Sequence, residues 1–189
     1  MMLTQERVYS PIEYLALEEN AEVRHEFING EILPMAGGTT RHNVIAGNIY
    51  LAIRLITKGR NIQTYIENVK LRIPDFNVFT YPDVMIIAGE PIYEENTQTT
   101  ILNPTVIFEV LSPGTKDYDQ GRKFEYYRSV TSLKDYILID QERCLVMVYQ
   151  KTDTNEWKLR VLDNIKATFS LDSVGIELNL ADIYEDIYS

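Results

Sequence analysis

Glu109 is a lone carboxylate in an otherwise uncharged β-branched and aromatic run, TVIFEVLSPGT from Thr105 to Thr115. Val106, Phe108 and Val110 alternate with Ile107, Glu109 and Leu111, so a strand here is apolar on both faces and reads as central in a sheet. An isolated buried carboxylate costs several kcal/mol, so Glu109 has to be protonated, salt-bridged or bound to a metal ion. Asp83 lies in TYPDVMII at the mouth of a second apolar strand, on the face it shares with Tyr81, Met85 and Ile87. Adjacent strands lie about 4.8 Å apart, so the two acids can converge on one cation if their strands are neighbours. One or two carboxylates with water and phosphate oxygens are the usual surroundings of Mg2+. The plainer alternative for Asp83 is that Pro82-Asp83 merely opens a strand.

Lys123 is the third group. A helix from about Tyr118 to Val130 carries Phe124, Tyr126, Tyr127 and Val130 along one broad stripe, and Lys123 projects from its middle. A lysine there should face something negative, where it could orient a water or offset developing phosphate charge; otherwise it snorkels to solvent from the helix edge. Glu26, in RHEFI, could add a carboxylate from outside the main sheet, but it and Glu31 read more simply as surface acids of a hairpin. His42, in TTRHN, could transfer a proton or touch phosphate, but reads more simply as a polar residue at a helix start.

The elements that must position these groups follow from turn and cap signals. Ser10, Pro11 and Glu13 predict a capped short helix to about Asn20. Asn29-Gly30 inside RHEFINGEILPM predicts a tight hairpin. Thr39 or Thr40 should cap a longer helix to about Lys58, with Val44, Ile45, Ile49, Leu51, Ile53 and Leu55 as its apolar positions and Gly59 as its stop. Strands are expected at Gln63–Glu67, Val69–Ile73 and Pro82–Ile87, with Pro74-Asp75 as a turn and a polar acidic loop from Ala88 to Pro104. After the Glu109 strand and the Lys123 helix come a strand at Tyr136–Asp140, a hairpin over Arg143–Gln150 and Trp157–Leu162, and a terminal helix over Leu180–Tyr188. The order describes a mixed α/β domain around one sheet, a single domain over residues 1–189.

Composition narrows the function classes. Hydrophobic residues make up 45% of the chain, enough for a sizeable core. A single cysteine, Cys144, and two histidines leave no internal disulfide and no zinc-type spacing, which fits a reducing compartment. The N-terminus has no long apolar core and no later run is long enough for a membrane span, so a cytoplasmic, membrane-free protein is expected. The net charge of −10 opposes tight binding to nucleic acid driven by bulk charge; the basic residues Lys116, Arg122, Lys123 and Arg128 nevertheless cluster in one segment. No GxSxG elbow, GxxxxGK[ST] loop or GxGxxG fingerprint is present.

Pro82-Asp83, then Glu109 on the next apolar strand, then a helix bearing Lys123, resembles the PD-(D/E)XK nuclease superfamily. RHEFINGEI, TTRHNVIAGNI, YPDVMII, NPTVIFEVLSPGT, YDQGRKFEYYR and SLKDYILID together resemble, over nearly the whole chain, the Uma-type family of restriction-endonuclease-like proteins. The resemblance implies a restriction-endonuclease-like α+β core, a central mixed β-sheet flanked by helices, with an added N-terminal hairpin and C-terminal β-hairpin. It implies Asp83 and Glu109 as metal ligands, with the Val110 carbonyl completing the set. Where the superfamily usually carries lysine, two residues after the strand acid, this chain has Leu111, so Lys123 stands in for it.

The expected activity is therefore a Mg2+- or Mn2+-dependent endonuclease acting on DNA, with Asp83, Glu109 and Lys123 at its centre and Glu26 and His42 at its rim. A rival class is a catalytically weak or inactive nuclease-like fold used as a protein-binding or regulatory module, with a homodimer as the expected assembly; the net charge favours it. A third is a metal-dependent hydrolase of a small phosphorylated substrate.

Overall fold

The computed structural model describes residues 7–35, 37–95 and 97–188. The reading of the N-terminus as free of an apolar leader falls mainly on residues 1–6, outside the described residues. Helix α1, Pro11–Glu18, opens with the expected capping box: Ser10 Oγ accepts from Glu13 N at 3.3 Å and Ser10 N donates to Glu13 Oε2 at 2.8 Å. Strands β1, His25–Ile28, and β2, Glu31–Pro34, pair around Asn29 and Gly30, both at positive φ. Gly30 is required twice over, because a Cβ there would meet Val8 Cγ1 at 2.5 Å.

Helix α2, Thr40–Ile56, is capped by Thr39, whose hydroxyl accepts from His42 N at 3.1 Å. It buries Ile45, Ala46, Ile49 and Ile53, whereas Val44, Leu51 and Leu55, also among its apolar positions, are 39%, 56% and 67% exposed. At about 100° per residue those three fall on the opposite side of the helix, so α2 carries a second, bare apolar stripe.

Six strands form the main sheet: β11, Trp157–Leu162; β10, Val146–Lys151; β9, Asp135–Asp140; β8, Val106–Leu111; β6, Val84–Ala88; and β3, Ile62–Ile66, in that spatial order. Only β8 and β9 run parallel; the other neighbours are antiparallel. All six residues of β8 are buried, as its two apolar faces require. One face packs on α2, on the hairpin of β12 (Thr168–Leu171) and β13 (Ile176–Asn179), and on the single turn α5, Leu180–Ile183. The other face packs under Tyr126, Tyr127, Val130 and Leu133.

The expected single sheet is in fact two sheets plus the β12–β13 hairpin. β4, Lys70–Ile73, joins β5, Val78–Thr80, β7, Thr100–Ile101, and the N-terminal hairpin in a five-stranded sheet of order β2-β1-β5-β4-β7. A 3-10 turn at Pro74–Phe76, closed by Asn77 at φ 52°, folds β5 back on β4. β7 lies inside the stretch expected as loop, and α5 is shorter than the expected terminal helix. The Lys123 helix starts as α3, Lys116–Tyr118, widens into a π turn over Asp119–Lys123, and ends as α4, Phe124–Tyr127. No helix among the described residues is long and apolar enough to cross a membrane.

Candidate active site

Asp83 and Glu109 meet because β6 and β8 are antiparallel neighbours. Their register pairs Val84 with Phe108 and Met85 with Ile107, so one further step sets Asp83 across from Glu109, on the face occupied by Met85 and Ile107. Asp83 precedes β6 instead of lying within it: its carbonyl accepts from Glu67 N at 2.9 Å, and its Oδ2 accepts from Val110 N at 2.7 Å. The side chain is thus tied to the strand that carries Glu109.

Lys123 is buried, at 7% exposure, and its Nζ lies 2.9 Å from Glu109 Oε1, 3.4 Å from Asp119 Oδ1 and 3.9 Å from Glu26 Oε1. It does not snorkel. Glu26 is not a surface acid either: it accepts from Thr80 Oγ1 and Tyr118 OH and turns toward Lys123, whereas Glu31 is exposed. His42 places Nε2 3.1 Å from Asp83 Oδ2, so the first turn of α2 closes the group from the other side. All five expected side chains therefore reach one place.

Two partners had no motif to announce them. Tyr127 is fully buried and its hydroxyl donates to Glu109 Oε1 at 2.6 Å. Asp119, 3% exposed, supplies a third carboxylate to Lys123. Asp119, Lys123 and Tyr127 are spaced by four, which is the available sequence signal. The π turn on which Asp119 and Lys123 sit is pinned by Tyr136, whose hydroxyl donates to the Asp119 carbonyl at 3.0 Å; π turns are frequent at functional sites.

Charge in this cluster is unbalanced. Burial pushes the Glu109 carboxyl well above its usual range; Lys123 opposes the shift and Asp83 and Asp119 add to it. Burial opposes the charge on Lys123, but Glu109, Asp119 and Glu26 outweigh it, so the ammonium is retained. Asp119 is likewise raised by burial, against the pull of Lys123. For His42, burial works against protonation, and the hydrogen bond and charge of Asp83 override it, so the imidazole titrates above its ordinary value. Burial and the neighbouring Glu109 raise the Tyr127 phenol far out of range, leaving it a donor.

Asp83, Glu109, Asp119, Lys123 and His42 line a cleft of about 660 Å³ whose wall also includes Gly38, Thr39, Ser112 and Thr115, with Glu26 and Tyr127 behind that lining. Among the described residues no three His, Cys, Asp or Glu side chains form a metal cage, so a cation here would rest on two carboxylates, a carbonyl and water. That is a common way of holding Mg2+. The oxygens suit it: Asp83 Oδ1 and Glu109 Oε2 take part in no protein hydrogen bond among the described residues, while their partners Oδ2 and Oε1 are fixed.

Residues 11–181 match the family model described as "Uma2: Putative restriction endonuclease". The uncharacterized protein sll1609 of Synechocystis sp. is 36% identical over 172 residues, which cover 90% of this chain and 97% of that protein. A second Synechocystis protein, the uncharacterized slr1290, is 31% identical over 180 residues, covering 94% and 92%. Among solved structures, a "putative nuclease belonging to DUF820" from Anabaena variabilis superposes with a TM-score of 0.74 at 21% identity, covering 92% of this chain and 96% of its own. At that identity the likeness is one of fold.

Proposed function

The chain belongs to the Uma2 family of restriction-endonuclease-like proteins, and from that footing we propose that it is a Mg2+- or Mn2+-dependent endonuclease of DNA, built as one domain over residues 1–189. The observation that carries this reading is the pair Asp83 and Glu109, opposed on adjacent strands in a cleft, with a buried lysine 2.9 Å from one of them. Asp83, Glu109 and the Val110 carbonyl would hold the cation. Bound there, a divalent cation polarises a phosphodiester and lowers the pKa of water at the site.

The chain's own residues have separable tasks. Lys123 orients the attacking water or offsets charge developing on the phosphate. Tyr127 fixes one oxygen of Glu109 so that the other faces the reaction, and His42 and the Val110 amide do the same for Asp83. Glu26 stands behind Lys123 and keeps it charged. A homodimer in a reducing, cytoplasmic compartment belongs to the same reading, supported by the bare stripe of Val44, Leu51 and Leu55 and by the single cysteine.

The rival module reading also has an observation behind it: Lys123 and Tyr127 already satisfy Glu109 Oε1 without a metal. Incubating plasmid and single-stranded DNA with Mg2+ or Mn2+ separates the two. Wild type should cut, and Asp83→Ala and Lys123→Ala should not. Persistent cutting by Lys123→Ala would remove the lysine from the mechanism, and persistent cutting by Asp83→Ala would remove the site.

A further inference from the structure

Outside the acidic floor of the cleft, three loops meet at the ends of β8 and β9. Gln141 N donates to the Leu111 carbonyl at 3.4 Å, Thr39 Oγ1 donates to Gln141 Oε1, and Glu142 N donates to Asp140 Oδ1 at 2.9 Å. On this platform Lys116 Nζ and Arg143 Nε both reach Asp140 Oδ2, at 3.2 and 3.3 Å, and Arg41 lies 3.5 Å from Glu142 Oε2. The Asp140 side chain is only 7% exposed, whereas those of Arg41, Lys116 and Arg143 are 51%, 37% and 63% exposed. Solvent therefore meets the three cations Arg41, Lys116 and Arg143 beside the acids Glu142 and Asp117, on a molecule whose net charge is −10.

We propose that Arg41, Lys116 and Arg143 grip the phosphodiester backbone of a DNA strand beside the phosphate that lies over Glu109 and Lys123. The position of that reacting phosphate rests on the nuclease reading. Asp140 and Glu142 hold the cations in place while using few of their N–H groups, so donors remain for phosphate oxygens. Gln141, fully buried with its Oε1 held by Thr39, ties the loop that leads to Arg143 to the start of α2, which carries Arg41. Thr39 and Thr115 line the cleft and are close neighbours in sequence of Arg41 and Lys116, so the grip continues the cleft wall. Lys123, by contrast, is buried among carboxylates and offers no surface charge.

The test is binding of labelled single-stranded and duplex oligonucleotides with Ca2+ in place of Mg2+, over a range of salt. Neutralising one phosphate-binding cation should flatten the slope of log K against log salt by about 0.7 on single strands or about 0.9 on duplex. The triple variant Arg41→Gln, Lys116→Gln, Arg143→Gln should thus bind on the order of a hundredfold more weakly at 0.1 M salt. The charge-keeping triple Arg41→Lys, Lys116→Arg, Arg143→Lys should retain the wild-type slope, which covers the case where the Gln variant folds poorly. Lys158→Gln with Arg160→Gln, on the outer strand β11, should leave the slope unchanged. An unchanged slope in the Gln triple, a slope flattened equally in the β11 pair, or no binding by wild type would overturn the grip. Cutting with an unaltered slope would fail the grip and leave the nuclease reading; binding with the expected slopes but no cutting in Mg2+ would do the reverse.

Discussion

The parallel pair β8 and β9 carries buried acids at both ends, and two of them, Asp135 and Glu109, are satisfied in different ways. At the start of β9, Asp135 is 2% exposed and accepts from Gln150 Nε2 at 3.0 Å and from Ser173 Oγ. Toward the end of β8, Glu109 is equally buried but faces an ammonium, a phenol and the charges of Asp83 and Asp119. The hollow at the Asp135 end is of similar size, about 770 Å³ against about 660 Å³. Size therefore does not mark the chemistry. An acid closed off by neutral donors is part of the packing, whereas one held among charges that do not cancel can take up a cation.

Removing a partner should separate the two ends most clearly. Lys123→Ala strands three carboxylates around a buried hole and should cost about 3–5 kcal/mol, read as a lower urea midpoint with an unchanged m-value. Asp135→Asn keeps neutral hydrogen bonding and should cost about 1 kcal/mol; equal losses would erase the distinction. Next in size is the effect of metal. Mg2+ at a hundred times its Kd should stabilise wild type by about 2.7 kcal/mol, leave the gain intact in Asp135→Asn and abolish it in Asp83→Asn. A thermal melt that does not move with Mg2+ in wild type would favour the module reading.

Tyr127→Phe should cost about 2 kcal/mol, because it leaves a fully buried carboxyl oxygen one hydrogen bond short; the same melt compares it with Ser173→Ala at the other end, where the cost should be smaller. The smallest effect is on pH. Burial raises Asp119 and Asp135 above their ordinary carboxylate values. The folded state therefore binds those protons more tightly than the unfolded chain, and metal-free stability falls as pH climbs from the ordinary carboxylate range through the folded values. Asp119→Asn and Asp135→Asn should each flatten that fall. Saturating Mg2+ should flatten only the Asp119 part, and a Mg2+ effect on both would show that the ends are coupled.

Much of this was legible in the residues. Alternation assigned each acid a face of its own strand, because β-strand parity survives small errors in strand boundaries; that the two faces coincide needed β6 and β8 to be neighbours, which the structure supplies. The burial of Lys123 followed from its place in an apolar stripe. Glu26 and His42 were harder, since a hairpin acid and a helix-start histidine look the same from sequence whether they face solvent or a site; what turns them inward is the second sheet and the approach of α2. Asp119 stands four residues before Lys123, a spacing that any solvent-facing helical ion pair shares, so nothing in it says that the pair is buried. Val44, Leu51 and Leu55 could not be placed, because apolar residues on both sides of a helix do not say which side meets the core. β5 and β7 are three and two residues long, too short for alternation to register.

The π turn has one more consequence. It holds one residue beyond what a regular helix would use between Asp119 and α4, and Gly121 lies inside it. Deleting that single codon would restore the ordinary winding and leave Asp119 and Lys123 three residues apart instead of four, still on one side of the helix. The ion pair of Asp119 and Lys123 would then have to form at the shorter spacing, with every acid of the cluster left intact, so alterations of this cluster should be sought among gapped sequences as well as substituted ones.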